Sequence, residues 1–212
     1  MLADQAVRRH SCNLVSRHGD SLDVMQTAYI GMGANLPSRA GPPEATLAAA
    51  ASRLESLGRV VARSSLYSTK PVGFADQPSF LNAVVVLETR LDPHALLAGL
   101  LGIEQEFGRD RSAGIRNGPR TLDLDILVFG DLTVSEPGLE LPHPRMLERG
   151  FVMIPLAELA SKYKTPKKLQ TISQLLQTFL ERSPGTSDAV VPVQSTVWSA
   201  HDFRDAGDSG GT

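Results

Sequence analysis

The sequence lacks most of the features that would confine a chain to one special environment. Cys12 is the single cysteine among 212 residues, so no disulfide can close within the chain, and a lone thiol fits an incidental residue of a reducing compartment. No run of about 18 consecutive apolar residues occurs, which excludes a spanning helix. The opening residues carry Arg8, Arg9, Arg17, Asp20 and Asp23 and lack the apolar stretch that a secretory signal needs. An excess of one charge is missing too. With a formal net charge of -2 and a pI of about 6.2, the chain has no general field to hold a nucleic-acid backbone or an anionic membrane. Any polyanion must therefore be met by a local cluster. No internal repeat is visible. What remains, 42% hydrophobic and 21% charged, is the composition of one core with tails, and a cytoplasmic protein is expected.

Residues 1–24 show neither helical nor strand periodicity and read as a flexible leader, with Met25 an alternative start. A buried strand is expected over 27–33. A helix follows Pro42 and Pro43, with Leu47, Ala50, Ala51, Leu54 and Leu57 as its stripe and Gly58 as its stop. Residues 59–67 and 79–89 read as two strands flanking a Gly/Pro loop at 69–78. Asp92-Pro93 opens a second helix with Leu96, Leu97, Leu100, Ile103 and Phe107 on one side, and Gly108 ends it. The arginine-rich stretch 109–119 reads as a mobile loop, and 121–129 as a strand. Helical runs are expected at 154–159 and 175–180. Residues 184–212 read as a loose tail, which leaves one domain at 25–183. Adjacent strands without a crossover argue for α+β, with a mixed or antiparallel sheet under packed helices.

The densest chemical signal is Asp123-Leu124-Asp125. Side chains alternate along a strand, so both carboxylates point to one face while Leu122, Leu124 and Ile126 point to the other. Two like charges side by side call for a cation, and hard oxygen ligands suit Mg²⁺ completed by substrate phosphates. The bland alternative is a solvated strand face. Arg109, Arg111, Arg116 and Arg120 tilt the balance, because guanidinium forks match phosphate oxygens. His143, between two prolines and followed by Arg145 and Arg149, forms a second cluster able to reach phosphate. His10, His18, His94 and His201 have no evident partners and read as surface residues. Phe80 and Asn82 are neighbours on one strand face, where an aromatic ring can stack on a flat heterocycle and an amide can read its edge. Core packing for Phe80 and backbone capping for Asn82 serve about as well. Phe151 could supply a second aromatic plane.

Several ordered blocks carry a family resemblance. They are the stretch from Tyr29 to Leu36, Thr69-Lys70-Pro71-Val72-Gly73, the stretch from Asp76 to Ala83, Ile103-Glu104, Gly118-Pro119-Arg120-Thr121-Leu122-Asp123-Leu124-Asp125, Pro142-His143-Pro144 and Arg149-Gly150-Phe151. Together they resemble the 6-hydroxymethyl-7,8-dihydropterin pyrophosphokinase family, over residues of about 27 to 160. The resemblance implies a ferredoxin-like α+β sandwich with an antiparallel-rich sheet, packed helices and mobile active-site loops. It implies transfer of diphosphate from ATP to the pterin hydroxymethyl group, releasing AMP, on the route to folate. By the same resemblance Asp123 and Asp125 bind two Mg²⁺ ions, and Arg109, Arg111, Arg120, Glu104, Ile126, His143 and Arg149 surround ATP. The first three of those arginines join the aspartates as catalytic residues, and Arg109 and Arg111 are the candidates for loop closure. The pterin is expected near Gly33, between Phe80 and Phe151, bonded by Asn82 and by backbone groups of Thr69 and Val72. Phe80 departs from a frequent tyrosine and Asn117 from a tryptophan seen in some members. Lys70 and Leu101 also differ, which bears on nucleotide packing. Small-molecule substrates, a monomer, no nucleic acid and no membrane are expected. Two competing readings are a pterin- or nucleotide-binding module without turnover, and another Mg²⁺ enzyme such as a nuclease or sugar-nucleotide transferase. Neither competitor explains the Phe80 and Asn82 pair.

Overall fold

The computed structural model describes residues 24–71, 76–111, 117–166, 168, 170–183, 185 and 189–202. Its spine is five strands in the spatial order β5 (Asp123–Phe129), β1 (Gln26–Ala34), β4 (Phe80–Thr89), β2 (Arg59–Arg63) and β9 (His201–Asp202). The first part of β4 also pairs with β3 (Leu66–Thr69), whose outer edge takes β8 (Val190–Val193). Every pairing is antiparallel. Two helices, α1 (Pro43–Arg53) and α2 (Pro93–Glu106), pack on one face, and α3 (Gly150–Ala160) and α4 (Ile172–Arg182) on the other. A hairpin of β6 (Val134–Glu136) and β7 (Leu139–Leu141) stands beside this sheet. The architecture is α+β with an antiparallel sheet, as the sequence implied. None of the described helices is long and apolar enough to cross a membrane.

Alternation along the three central strands builds the two layers. Ala28, Ile30, Met32 and Ala34 of β1, Ala83, Val85 and Leu87 of β4, and Leu124 and Ile126 of β5 are all buried in the core beneath α1 and α2. Tyr29, Val84, Val86 and Leu127 face α3 and α4, among Val152, Met153 and Leu156. Burying each large apolar side chain contributes roughly 1.5–3 kcal/mol. Local signals fix the helix ends. The Asp92 carboxylate accepts from the Ala95 amide at 2.8 Å and Pro93 follows it, and the helix ends ahead of Gly108, whose φ of 82° favours glycine. Thr171 caps α4 through a reciprocal pair with Gln174.

The expected strand over 59–67 is two strands. At the break the Ser64 amide donates to the Val84 carbonyl at 2.9 Å, and the Ser64 hydroxyl accepts from the Val84 amide at 2.9 Å. A side chain has replaced a backbone partner, so the chain shifts and resumes as β3. The helical run expected at 154–159 begins earlier, at Gly150, where extended Arg149 ends. His94 and His201, expected without partners, both have them: His94 lies 2.9 Å from Glu136, and His201 pairs with Arg63 across β9 and β2.

The stretch 184–212, expected from composition as a loose tail, is ordered over 189–202. Thr69 pairs with Val190 and Leu66 with Val193, which satisfies an edge that β3 would otherwise present to solvent. Further on, Trp198 is 4% exposed and its indole N–H donates to the Ser64 carbonyl at 2.8 Å. The Arg63 guanidinium lies 5.6 Å from the Trp198 ring centre. These contacts are non-local, so a local count of apolar residues misses them. Residues 1–23 of the expected leader lie outside the described residues.

Candidate active site

One row of cross-strand partners organises the site. Tyr67 pairs with Asn82, Asn82 with Gly33, and Gly33 with Asp123. The next row is Val84, Gly31 and Asp125. Strands lie about 4.8 Å apart, so roughly 10 Å separates the backbones of Asn82 and Asp123, with a glycine between them. A Cβ on Gly33 would stand 3.2 Å from Asn82 Oδ1, and one on Gly31 would stand 3.2 Å from a Leu127 methyl. The glycines keep a floor open between the amide and the carboxylates.

Three adjoining cavities follow that floor. One of about 380 Å³ is lined by Thr69, Phe80, Asn82, Arg149 and Phe151 among others. A small one of about 30 Å³ lies over Gly31 and Gly33 and shares Asn82, Arg149 and Phe151 with the first. It also reaches Asp123 and Asp125. The third, about 360 Å³, shares Asp125 and is lined by Arg111, Ile126 and His143. An aromatic and amide compartment edged by Lys70, Arg120, Arg145 and Arg149 thus leads past two carboxylates into one of mixed charge, where Arg111 and His143 stand beside Asp125, Glu136 and Glu140.

The carboxylates are held in a web of cations. Arg109 Nη2 lies 3.2 Å from Asp123 Oδ1, and Arg120 Nε lies 3.1 Å from Asp123 Oδ2. The second is a charge contact rather than an aligned hydrogen bond, since Arg120 Nε is buried without a hydrogen-bond acceptor. Arg109 also donates to the Leu122 carbonyl at 3.3 Å. Burial raises the Asp125 carboxyl above its usual range and the Asp123 charge adds to the rise, while His143, Arg149 and Arg111 oppose it. That is the electrostatic setting in which a bound cation is favoured. Among the described residues no group of three or more acidic, histidine or cysteine side chains forms a metal cage. Two carboxylates alone fit a hard ion whose other positions are filled by phosphate and water.

His143 is fixed from both sides. Its amide donates to the Leu127 carbonyl at 2.8 Å, and its Nδ1 lies 3.2 Å from the Arg145 amide. Nδ1 is therefore the acceptor, so neutral His143 carries its proton on Nε2. Burial lowers its pKa, with Asp125 pulling the other way. Arg149 precedes α3 and its carbonyl accepts from the Val152 and Met153 amides, so the helix start sets both Arg149 and Phe151. Burial and then Arg145 lower the Arg149 pKa.

Glu104 does not face the cleft. Its carboxylate, 1% exposed, takes both nitrogens of the Arg111 fork at 2.8 Å and the Leu124 amide at 2.8 Å. Burial raises its pKa against those bonds. One buried carboxylate thus anchors Arg111 and the residue between the two aspartates. On the other side, Asn82 donates to the Thr69 hydroxyl at 2.8 Å, leaving its carbonyl oxygen towards Gly33. The Arg120 guanidinium stands 4.7 Å from the centre of the Phe80 ring, so one face of that ring already carries a cation. Lys70 lines the compartment of Phe80 and Asn82 rather than that of Arg111 and His143, so its departure bears on the former. Val72 and Arg116 lie outside the described residues.

Residues 29–161 match the family model described as 7,8-dihydro-6-hydroxymethylpterin-pyrophosphokinase. The chain belongs to this family. A 2-amino-4-hydroxy-6-hydroxymethyldihydropteridine pyrophosphokinase of Pseudomonas aeruginosa is 45% identical over 145 residues, 68% of this chain and 86% of that one. One of Haemophilus influenzae is 42% identical over 159 residues, 74% and 95% of the two chains. Among solved structures, a Plasmodium falciparum HPPK-DHPS triple mutant with pteroate superposes with a TM-score of 0.65 at 16% identity. That likeness, over 81% of this chain, is one of fold, and the chain spans about half of that longer protein, 47%.

Within this pyrophosphokinase fold, sequence reasoning missed Asn35. It is 3% exposed, and its carbonyl oxygen accepts from the Arg120 amide at 2.8 Å. Its amide donates to Gln77 Oε1 and to the Pro78 carbonyl, each at 3.0 Å. Gln77 in turn donates to the Asn117 carbonyl at 2.8 Å, where Asn117 holds a φ of 58° that asparagine tolerates. One asparagine thus ties the end of β1 to both loops beside the site. The available signal was a polar residue at the end of a buried strand.

Proposed function

We propose that Asp123 and Asp125 bind two Mg²⁺ ions on the triphosphate of ATP and that the pterin lies between Phe80 and Phe151, read by Asn82. The chain transfers a diphosphate from ATP to the hydroxymethyl group of 6-hydroxymethyl-7,8-dihydropterin, giving AMP and the pterin diphosphate in folate synthesis. The observation that carries the residue assignment is the order of the cleft, with amide and aromatics, then paired carboxylates, then the compartment of Arg111, Ile126 and His143. That order matches acceptor, reacting phosphate and donor.

In this reading the pterin hydroxyl attacks the β-phosphorus in line as the bond to the α-phosphate oxygen breaks. When bound, the ions supply charge neutralisation at the attacking and leaving oxygens. Arg111 and Arg149 hold phosphate oxygens, and His143 donates from Nε2. Arg109 and Arg120 keep Asp123 aimed. Ile126 gives the nucleotide an apolar wall, while Gly33 and the backbone at Thr69 border the pterin. Glu104 acts through Arg111 and Leu124. The catalytic unit spans 25–183 together with the strand β8 paired to its edge, working as a cytoplasmic monomer. Positioning and charge neutralisation supply most of the acceleration.

The test is a product assay with purified protein, ATP, Mg²⁺ and the dihydropterin, following AMP and pterin diphosphate by chromatography. Equal amounts of both, appearing only with acceptor and metal, are expected. Tight pterin binding without AMP would replace the reading with a binding module, and turnover undiminished by chelator would remove the metal.

A further inference from the structure

The cavity at Phe80, Asn82 and Phe151 is closed by residues that lie beyond the stretch 29–161 matched by the family model. Phe179 and Ser183, from the end of α4 and just after it, line it together with Ala189 and Val190. These are held in place. Val190 is 6% exposed and in register with Thr69, the residue whose hydroxyl fixes the Asn82 amide. Past β8, the buried Trp198 binds the Ser64 carbonyl, and Ser195 bonds to the Glu44 carboxylate. The segment is thus pinned to the strand that borders the cavity and again to α1.

We propose that the C-terminal segment is the outer wall of the acceptor compartment, and that Phe179 contacts the pterin and sets acceptor affinity in this chain. A flat, partly apolar heterocycle is the ligand class that an aromatic wall fits. Phe80 has one face against Arg120, so a further ring gives apolar contact that the Phe80 and Phe151 pair alone does not complete. Thr69 and Asn82 receive their alignment from β8 through the strand pairing. This inference rests on the acceptor assignment above.

The test compares the full-length protein with Phe179→Ala and Phe179→Leu, measuring pterin and ATP constants separately and the melting temperature. Phe179 is only partly buried, so a folded variant is expected. For Phe179→Ala the pterin KM and the Kd for pterin should rise about tenfold, the ATP KM should stay within about twofold, and Phe179→Leu should recover part of the loss. Unchanged pterin constants in a folded Phe179→Ala protein overturn the wall, as does an equal rise in both KM values. The two readings fail separately. Absence of turnover by the unsubstituted protein would refute the acceptor assignment, whereas normal turnover with an indifferent Phe179 would refute only the wall.

Discussion

The two faces of the same three strands differ in kind. Towards α1 and α2, β1 shows Ile30 and Met32, β4 shows Ala83 and Val85, and β5 shows Leu124 and Ile126, all buried. One residue along in each strand, the opposite face shows Gly31 and Gly33, Asn82, and Asp123 and Asp125. A period of two therefore separates holding the sheet together from acting on a ligand, within a few ångströms of backbone. The lesson is that the active face can afford open space and mutual repulsion because the other face supplies the burial.

Substitutions that cross this divide sharpen the contrast. Asp123→Ala or Asp125→Ala should lower turnover by about a thousandfold or more, roughly 4 kcal/mol of transition-state stabilisation, with an intact melting transition. Leu124→Ala, between them, should instead destabilise the fold by about 2–5 kcal/mol in denaturant titration. Retained activity in the first pair, or a stable Leu124 variant, would erase the distinction.

Smaller effects belong to the acceptor side. Asn82→Ala should weaken pterin binding by about 1–3 kcal/mol in equilibrium titration and leave ATP affinity alone, because a polar ring edge loses its partner. Gly33→Ala should raise the pterin KM by about tenfold, since its Cβ would stand 3.2 Å from Asn82 Oδ1, on the floor of the cleft. An unchanged pterin KM would show that the floor is not used.

The smallest effect is one of pH. Burial and Asp123 hold the Asp125 carboxyl above its ordinary value of 3.8. The folded protein then keeps that proton to a higher pH than the unfolded chain does. Stability without metal should fall as pH rises from 3.8 through the raised value, then level off. Asp125→Asn should remove that decline in melting temperatures taken in chelator across roughly pH 3 to 8. An identical profile for both proteins would contradict it.

Much of this was legible along the chain because it is local. The alternation in β1, β4 and β5 marks the two faces, the Asp92-Pro93 start marks α2, and Asp123-Leu124-Asp125 marks the reactive edge. The break at Ser64 and strands β8 and β9 were not legible, because each depends on a partner distant in sequence, and the two three-residue strands of the β6–β7 hairpin are too short to show a period. The same holds inside the site. Composition could gather arginines near the aspartates, but only the fold separates Arg109 and Arg120, which hold Asp123, from Arg111, which Glu104 anchors. Glu104 reads as a ligand-facing acid in sequence and proves to be a buried strut, because its partners come from a loop and a strand.

The most direct test is to measure turnover, pterin affinity and thermal unfolding on one preparation of Asp125→Ala beside the unsubstituted protein. The account predicts a normal unfolding curve, pterin affinity within about twofold and turnover lost by about a thousandfold or more. Near-normal turnover, or loss of activity that simply tracks loss of fold, would contradict it.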